Sequence, residues 1–396
     1  MVPIKVSINK FLFQVAVGSL PLLNVLALNE KITFTIVVFS VLFFLRIQRL
    51  KFAAYDVFYL IFIASLSLSA IFNGYINKSS LLYITTFLTV YFIYFKNTVS
   101  WYQSYKKEFY STLHGIVLFT SGFILYEFIA LNFFPGVFIE LPRATAIEYD
   151  STFLRMYRPR GFAEEPGHMS LFFEFAIPLL VPYLNCMTRR KRIFSIFLIA
   201  LAILLMGSSF TILLAIISIT FFYSIKIIQK PKFFFTATVF LAICFFTVLT
   251  NPKIGGLVKD YSSSIQSKVS LDSNNSSVSD RAYRFTKGLE LVSDNFLGGI
   301  GPMAFKEYSR SASSLNLSID IWLYSGFVGI LAFYCFLGLV LLIFVNSKAQ
   351  NKKWILLSFF LIILHYQIIT NFWFPYLWIV LGVMIMEKNL ARFKEA

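Results

Sequence analysis

The residues best suited to chemistry lie in one short segment, residues 157–168, which we name the arginine lip. Its ionisable members are two arginines, two glutamates and one histidine: Arg158, Arg160, Glu164, Glu165 and His168. Pro159, Gly161, Pro166 and Gly167 interrupt regular helix, so the segment is predicted to be a shaped loop between two apolar runs. Arginine presents a planar fork of cationic donors, which suits phosphate oxygens. The pattern favours a site for a pyrophosphate carried on a lipid.

Two carboxylates, Glu127 and Glu174, lie inside the apolar runs on either side of the arginine lip. A charge in mid-bilayer costs roughly 2.5–3.5 kcal/mol on insertion scales, so each of these carboxylates is expected to have a structural or functional role. Both are expected about 9 Å below the outer surface, at a rise of 1.5 Å per residue. Two interpretations stay open: the carboxylates brace the loop by pairing with arginines, or they line a shallow cavity for an anionic head group. His114 and His365 are further ionisable residues inside predicted spans.

A second basic group follows later in the chain, where Arg281, Arg284 and Lys287 recur every three residues. Apolar residues recur at helical spacing on a neighbouring face: Ala282, Phe285, Leu289, Val292 and Phe296. The two stripes predict an amphipathic helix from about residue 280 that lies on the outer membrane surface. The glycine run 298–302 is interpreted as a turn that returns the chain to the next span, in preference to a phosphate-binding loop.

The composition is that of a membrane protein, with 58% hydrophobic residues, a mean hydropathy of +0.74 and 48 phenylalanines. Repeated apolar runs of roughly 17–25 residues predict membrane-spanning helices, so the fold class is all-α and polytopic. The net charge of +16 is attributed to short basic connectors between spans, and no nucleic-acid partner is expected.

The apolar runs predict about twelve spans within a single transmembrane domain that covers residues 1–396. These spans are 11–28, 32–45, 55–72, 80–95, 109–133, 168–187, 193–206, 208–225, 233–249, 319–345, 354–371 and 374–386. Basic connectors follow the even-numbered spans, so the positive-inside rule predicts that both termini are cytoplasmic. Two long loops, residues 134–167 and 250–318, then face outward.

The sequence contains no Asp-x-Asp motif, no zinc spacing, no P-loop and no Gly-x-Ser-x-Gly elbow. No metal and no cofactor are therefore expected. Arginines would have to neutralise the pyrophosphate, because hydrogen bonds to charged groups contribute roughly 1.5–3 kcal/mol each.

These motifs resemble those of a known enzyme family. Residues 158–168 are similar to the Arg-x-x-Gly-Phe-x-x-x-Pro element of bacterial O-antigen polymerases (Wzy-type) and O-antigen ligases. The resemblance covers roughly residues 157–331, and its later motifs are Gly207-Ser-Ser, Asp280-Arg281, Gly298-Gly-Ile-Gly-Pro and Tyr324-Ser-Gly-Phe-Val-Gly.

The resemblance implies a metal-independent glycosyltransferase with a GT-C-like bundle in the bacterial inner membrane. Its periplasmic face would act on undecaprenyl-pyrophosphate-linked glycans. The resemblance implies that Arg160 and Arg281 are the pyrophosphate-binding and catalytic arginines, assisted by Arg158 and Arg284. The general base is left open among Glu165, Glu164 and His168, with Glu127 and Glu174 as supporting residues. A chain-length regulator and a flippase are candidate partners.

Three functions are compatible with these motifs. Ligases of this family carry a histidine near the end of the second loop, and residues 313–320 contain none, which favours a polymerase. The ligase, with lipid A core as acceptor, is the first alternative. A flippase or transporter of a lipid-linked sugar is the second, although transporters favour ionisable sites in mid-membrane, and here the charges gather at one face.

Overall fold

The computed structural model describes residues 7–22, 25, 33–142, 156–207, 276–309, 311 and 313–393. Within these ranges the chain is helical and contains no β-strand, in agreement with the predicted all-α class. The α-helices are α1 (Ile8–Gly18), α2 (Phe34–Arg46), α3 (Ala54–Phe72), α4 (Lys78–Thr89), α5 (Asn97–Trp101), α6 (Lys106–Phe133), α7 (Pro166–Asn185), α8 (Arg189–Met206), α9 (Ser276–Asp294), α10 (Phe305–Tyr308), α11 (Leu317–Val345), α12 (Lys352–His365) and α13 (Tyr376–Phe393).

Four helical segments in the described part are long and apolar enough to cross a membrane: Ala54–Phe72, Lys78–Phe133, Pro166–Asn185 and Leu317–Val345. Helix α2 is apolar but shorter. The total of twelve spans stays a prediction, and the predicted spans 208–225 and 233–249 lie outside the described residues.

The segment Lys78–Phe133 differs from its predicted form, which was two spans joined by a connector. The structure keeps it helical throughout: a π-helical stretch, Val90–Lys96, joins α4 to α5, and a 3-10 helix, Tyr102–Tyr105, joins α5 to α6. No proline or glycine occurs between residues 78 and 114, so nothing in the sequence forces the helix to end.

The core is built largely from aromatic side chains on α3, α11 and α13. The ring of Tyr59 lies 5.1 Å from that of Phe336 and 5.7 Å from that of Trp378, both edge-to-face. Phe62 lies 5.1 Å from Phe333. Edge-to-face pairs add to the free energy gained by burial alone. The apolar first half of α13 is buried on every side, as expected for a central helix of a bundle.

Lys96 directly follows the predicted span 80–95 and so belongs to a predicted basic connector, but the structure buries it. Its Nζ lies 2.5 Å from the Oδ2 of Asp56 and donates to the carbonyl of Lys51 at 2.8 Å. The hydroxyl of Tyr91 donates to the same carboxylate. Lys96 is 3% exposed and Asp56 is 1% exposed. Removing one partner of a buried pair costs about 3–5 kcal/mol, so this contact holds α3 against the π-helical stretch.

Helix α11 is broken at Gly326, which adopts a φ of 68°. In an unbroken helix the amide of Phe327 would donate to the carbonyl of Leu323. Here Phe327 donates to the carbonyl of Phe296 at 3.1 Å, and the carbonyl of Leu323 accepts from the amide of Ile300 at 2.6 Å. Each backbone group freed by the break therefore finds a partner in the second long loop, as backbone inside a membrane protein requires.

The glycine run that contains Ile300 is a turn, which confirms its prediction. Gly299 and Gly301 have φ values of 66° and 90°, which only glycine adopts at little cost. The hydroxyl of Ser69 donates to the carbonyl of Gly298 at 2.6 Å, and the side-chain amide of Asn73 donates to the carbonyl of Gly299 at 3.2 Å. The turn is therefore fixed to the end of α3 as well as to the break in α11.

Replacing Gly326 by alanine should sharply lower thermal stability in detergent. A Cβ at this position would lie 2.1 Å from the carbonyl oxygen of Leu297, and the left-handed backbone adds about 1–3 kcal/mol of strain. Gly338 of the same helix is the matched control, since a Cβ there meets no atom within 4 Å. Equal melting midpoints for Gly326→Ala and Gly338→Ala would contradict the hydrogen-bond exchange described above.

Candidate functional site

The arginine lip owes its shape to one carboxylate oxygen of α6. The Oε2 of Glu127 accepts the backbone N–H of Arg160 at 2.8 Å and that of Gly161 at 2.6 Å. Glu127 is 1% exposed, and charge-assisted bonds of this kind are roughly twice as strong as neutral ones. Gly161 adopts a φ of 61°, which lets two consecutive amides point at one oxygen. The structure thus supports the bracing interpretation for Glu127, through main-chain amides of the lip.

Two further contacts fix the arginine lip to α6. Asn132 accepts the amide of Tyr157 at 2.7 Å and donates to its carbonyl at 3.0 Å, as a strand neighbour would. The ring of Phe162 is 5% exposed and stacks on Phe123 with the ring centroids 4.5 Å apart, and on Phe119 at 5.7 Å. The first half of the lip, from Tyr157 to Phe162, is therefore held against α6.

The charged side chains of the lip differ in burial. Arg160 is 4% exposed, and its Nη1 donates to the carbonyl of Glu164 at 3.2 Å. Arg158 is partly buried, and Glu165 is exposed just before the start of α7. The Oε1 atom of Glu164 is buried and has no hydrogen-bond partner among the described residues. A buried carboxylate oxygen is costly without a donor, which marks Glu164 as a group that a ligand could engage.

His168, in the first turn of α7, joins the lip to two other parts of the chain. Its Nε2 lies 2.9 Å from the amide nitrogen of Asn371, and its ring packs edge-to-face on Phe374 at 5.6 Å. The charges of Glu165 and Arg281 both act on the imidazole. The structure therefore brings the arginine lip and the Arg281 end of the second long loop into one electrostatic neighbourhood.

Glu174 lies six residues after His168 on α7, and its side chain contacts His365 of α12. Its Oε2 is 2.7 Å from the Nδ1 of His365, and both side chains are buried, at 5% and 1% exposure. The sequence identified both as ionisable groups inside spans but did not predict that they contact each other. This pair ties α7 to α12 beneath the site, so Glu174 supports the site from below.

Helix α9 carries the second basic group, as predicted, although it begins earlier, at Ser276, and ends before Phe296. Arg281 is exposed, whereas Arg284 forms an ion pair with Asp280 at 2.6 Å. The predicted apolar stripe is divided: Val292 is buried, and Phe285 and Leu289 are 41% and 46% exposed. The exposed apolar residues fit a helix that rests on a membrane surface, which stays a prediction.

The end of the second long loop is tied to the turn between α12 and α13. The amide of Leu317 donates to the carbonyl of Tyr366 at 2.9 Å, and the amide side chain of Asn316 donates to that of Gln367 at 3.0 Å. The hydroxyls of Ser313 and Thr370 lie 3.0 Å apart. Sequence reasoning missed this turn, which we name the 366–371 turn.

A buried carboxylate orders the same loop end. Asp320, in the first turn of α11, is 2% exposed and accepts the amide of Ser314 at 2.8 Å. Leu315 between them adopts a φ of 63°. An aspartate at the start of an apolar span was the available clue in the sequence, because a buried acid needs partners of this kind.

The assembled groups suit a phosphate-bearing anion. Arg158 and Arg160 lie in the lip, and Arg281 acts on His168 from the second loop. Guanidinium groups bind phosphate oxygens through paired hydrogen bonds. No group of three or more metal-ligating side chains occurs in the described ranges.

Comparison with known proteins identifies one family. No curated protein sequence matches the chain. Residues 194–334 match the Wzy_C family model, described as O-antigen ligase. The match includes Arg281, the glycine turn and the break at Gly326, whereas the arginine lip and the 366–371 turn lie outside it.

The matched segment overlaps the part of the chain in which the sequence motifs follow one another in family order. The apolar helices of the described part are those of a membrane protein. The family match therefore supports the assignment of this chain to the O-antigen ligase and polymerase superfamily.

Proposed function

We propose that the protein polymerises undecaprenyl-pyrophosphate-linked oligosaccharide repeat units of an O-antigen or a related surface polysaccharide. The observation that carries this proposal is the match of residues 194–334, which contain Arg281, to the O-antigen ligase family model, and it is supported by the buried Arg160 that Glu127 braces in the arginine lip. The inner-membrane location, the cytoplasmic termini and the periplasmic active face belong to the same proposal.

The reaction is an inverting glycosyl transfer without a metal ion. The bond between the anomeric carbon of the growing chain and its pyrophosphate oxygen breaks. A new bond forms between that carbon and a hydroxyl oxygen of the incoming repeat unit, on the opposite face of the sugar. The hydroxyl proton passes to a general base, and the pyrophosphate leaves with the bonding electron pair.

The arginines stabilise the charge that develops on the leaving pyrophosphate. Arg160 and Arg281 supply the principal donors, one from each long loop, with Arg158 and Arg284 assisting. Because Arg284 is already paired with Asp280, it contributes less than Arg281 to stabilising the charge on the pyrophosphate. Glu164, Glu165 and His168 are the candidate bases, and Glu127 and Glu174 hold the site in shape.

A polymerase is preferred to a ligase because residues 313–320 lack histidine. In the structure the hydroxyl of Ser313 contacts that of Thr370, and the backbone amide of Ser314 donates to Asp320, so this segment helps to hold the loop end in place. The family description names a ligase, and the ligase is therefore the second candidate.

Purified protein incubated with one defined lipid-linked repeat unit tests the proposal. A polymerase should lengthen the glycan with no other acceptor present and should do so in excess EDTA. A ligase would need lipid A core, and a flippase would leave the glycan unchanged. A deletion strain separates the first two in cells, because loss of a polymerase leaves one repeat on the core and loss of a ligase leaves none.

A further inference from the structure

His168 is held in a single orientation by two residues of the connector between α12 and α13. Its ring packs on Phe374, and its Nε2 contacts the side chain of Asn371. Asn371 ends the 366–371 turn, which is hydrogen bonded to the end of the second long loop through Asn316 and Leu317. The imidazole is therefore fixed relative to both long loops.

The contact with Asn371 determines which ring nitrogen carries the hydrogen. The amide nitrogen Nδ2 faces the Nε2 of His168 at 2.9 Å. An amide NH2 group is only a donor, so Nε2 must be the acceptor and the ring must be neutral. A neutral imidazole with a free lone pair on Nε2 carries its hydrogen on Nδ1.

The other ring nitrogen is buried and has no partner within the described part of the chain. The Nδ1 of His168 is buried and forms no hydrogen bond with any described residue. A buried N–H donor left unmatched is unfavourable, so native proteins seldom keep one without a reason. Glu165 and Arg281 both act electrostatically on this ring, but the Glu165 carboxylate makes no hydrogen bond with Nδ1. The acceptor that best fits an N–H donor beside the arginines of the lip is an anionic oxygen of a ligand.

We propose that the Nδ1–H of His168 donates a hydrogen bond to a phosphate oxygen of the bound diphosphate, and that Asn371 is the positioning residue that fixes this tautomer. The proposal rests on the proposed function and deepens it, because it assigns His168 to the leaving group. Glu164 and Glu165 then remain as candidate bases for the acceptor hydroxyl.

The first test reads the tautomer directly. The chain has three histidines, so ¹⁵N-histidine spectra of the purified protein are simple, and His168→Asn identifies the signal of His168. The wild type should show a hydrogen on Nδ1, and inorganic pyrophosphate should shift that signal. In Asn371→Asp, a carboxylate accepts from Nε2–H, and the hydrogen should move to Nε2. A wild-type hydrogen on Nε2, or no response to pyrophosphate, overturns the proposal.

The second test compares variants by their polymerisation kinetics. Asn371→Asp should lower kcat by about a hundredfold, the usual loss when one donor to developing charge is removed, with little change in KM. His168→Asn places an amide donor near the Nδ1 position and should keep more activity than His168→Gln, whose amide reaches the Nε2 position. Equal losses in the two His168 variants would point to a base and overturn the assignment.

The two tests separate the failure of this proposal from the failure of the proposed function. If the wild type forms no polymer, the proposed function fails, and the tautomer and the pyrophosphate response are still measured. If the wild type polymerises and Asn371→Asp does so at the wild-type rate with its tautomer reversed, only the present proposal fails. Melting midpoints of all variants show whether a loss of rate reflects unfolding.

Discussion

Replacing Arg160 by alanine should abolish long glycan chains and leave single repeats on the cell surface. Arg160 is the most buried cation of the arginine lip, and its backbone amide is bound by Glu127. A guanidinium held in this way is already oriented when charge develops on the leaving pyrophosphate. Loss of one such donor lowers the rate by about a hundredfold to a thousandfold. Gel analysis of surface glycan in a complemented deletion strain gives the chain lengths.

Two companion variants make this result interpretable. Arg160→Lys should fail as well, because lysine retains the charge but lacks the planar pair of donors. Arg190→Ala removes an exposed arginine at the start of α8 and should leave chain length unchanged. Wild-type chain lengths in Arg160→Ala, with the protein present in the membrane at its normal level, would remove Arg160 from the mechanism.

Replacing Arg281 by alanine should lower polymerisation by a similar factor with almost no change in stability. Arg281 is exposed on α9, so its loss leaves no buried charge without a partner. Arg160→Ala, in contrast, removes a buried side chain and is expected to lower the melting midpoint as well. The rate measured in detergent and the melting midpoint together check this difference between the two arginines.

Helix α9 provides matched controls for Arg281. Lys287 forms an ion pair with Glu290 at 2.8 Å, and Lys287→Ala should be neutral for activity. Arg284→Ala should give an intermediate loss, since Asp280 already engages that guanidinium. If Lys287→Ala and Arg281→Ala are equally impaired, general basicity of the helix would explain the effect, and the specific role of Arg281 would be refuted.

Local chemistry made several features predictable from the sequence. The prolines and glycines of residues 157–168 predicted a shaped loop, which is correct up to Glu165, whereas Pro166 and Gly167 begin α7. The periodicity after Asp280 predicted a helix. The turn at residues 298–302 followed from its glycines. In each case the decisive physical factor acts within a few residues, either as a backbone preference or as a hydrophobic period.

Contacts between distant residues could not be predicted in the same way. Asn371 is a polar residue in a short connector, and nothing near it in the sequence indicates that it contacts His168. The pairing of Glu174 with His365 has the same character, because it depends on how α7 and α12 pack. Lys96 was misjudged for this reason too, since its buried partner Asp56 is 40 residues away.

The break in α11 has a consequence for exchanging parts between related members of this superfamily. The second long loop and the span that follows it complete each other's main-chain hydrogen bonds at Ile300, Leu323 and Phe327. In a chimera whose junction lies between the glycine turn and Gly326, the donors and acceptors of these main-chain hydrogen bonds would come from two different proteins. Swaps of substrate specificity should therefore transfer residues 296–327 as one cassette, and junctions within that interval should yield protein that fails to accumulate.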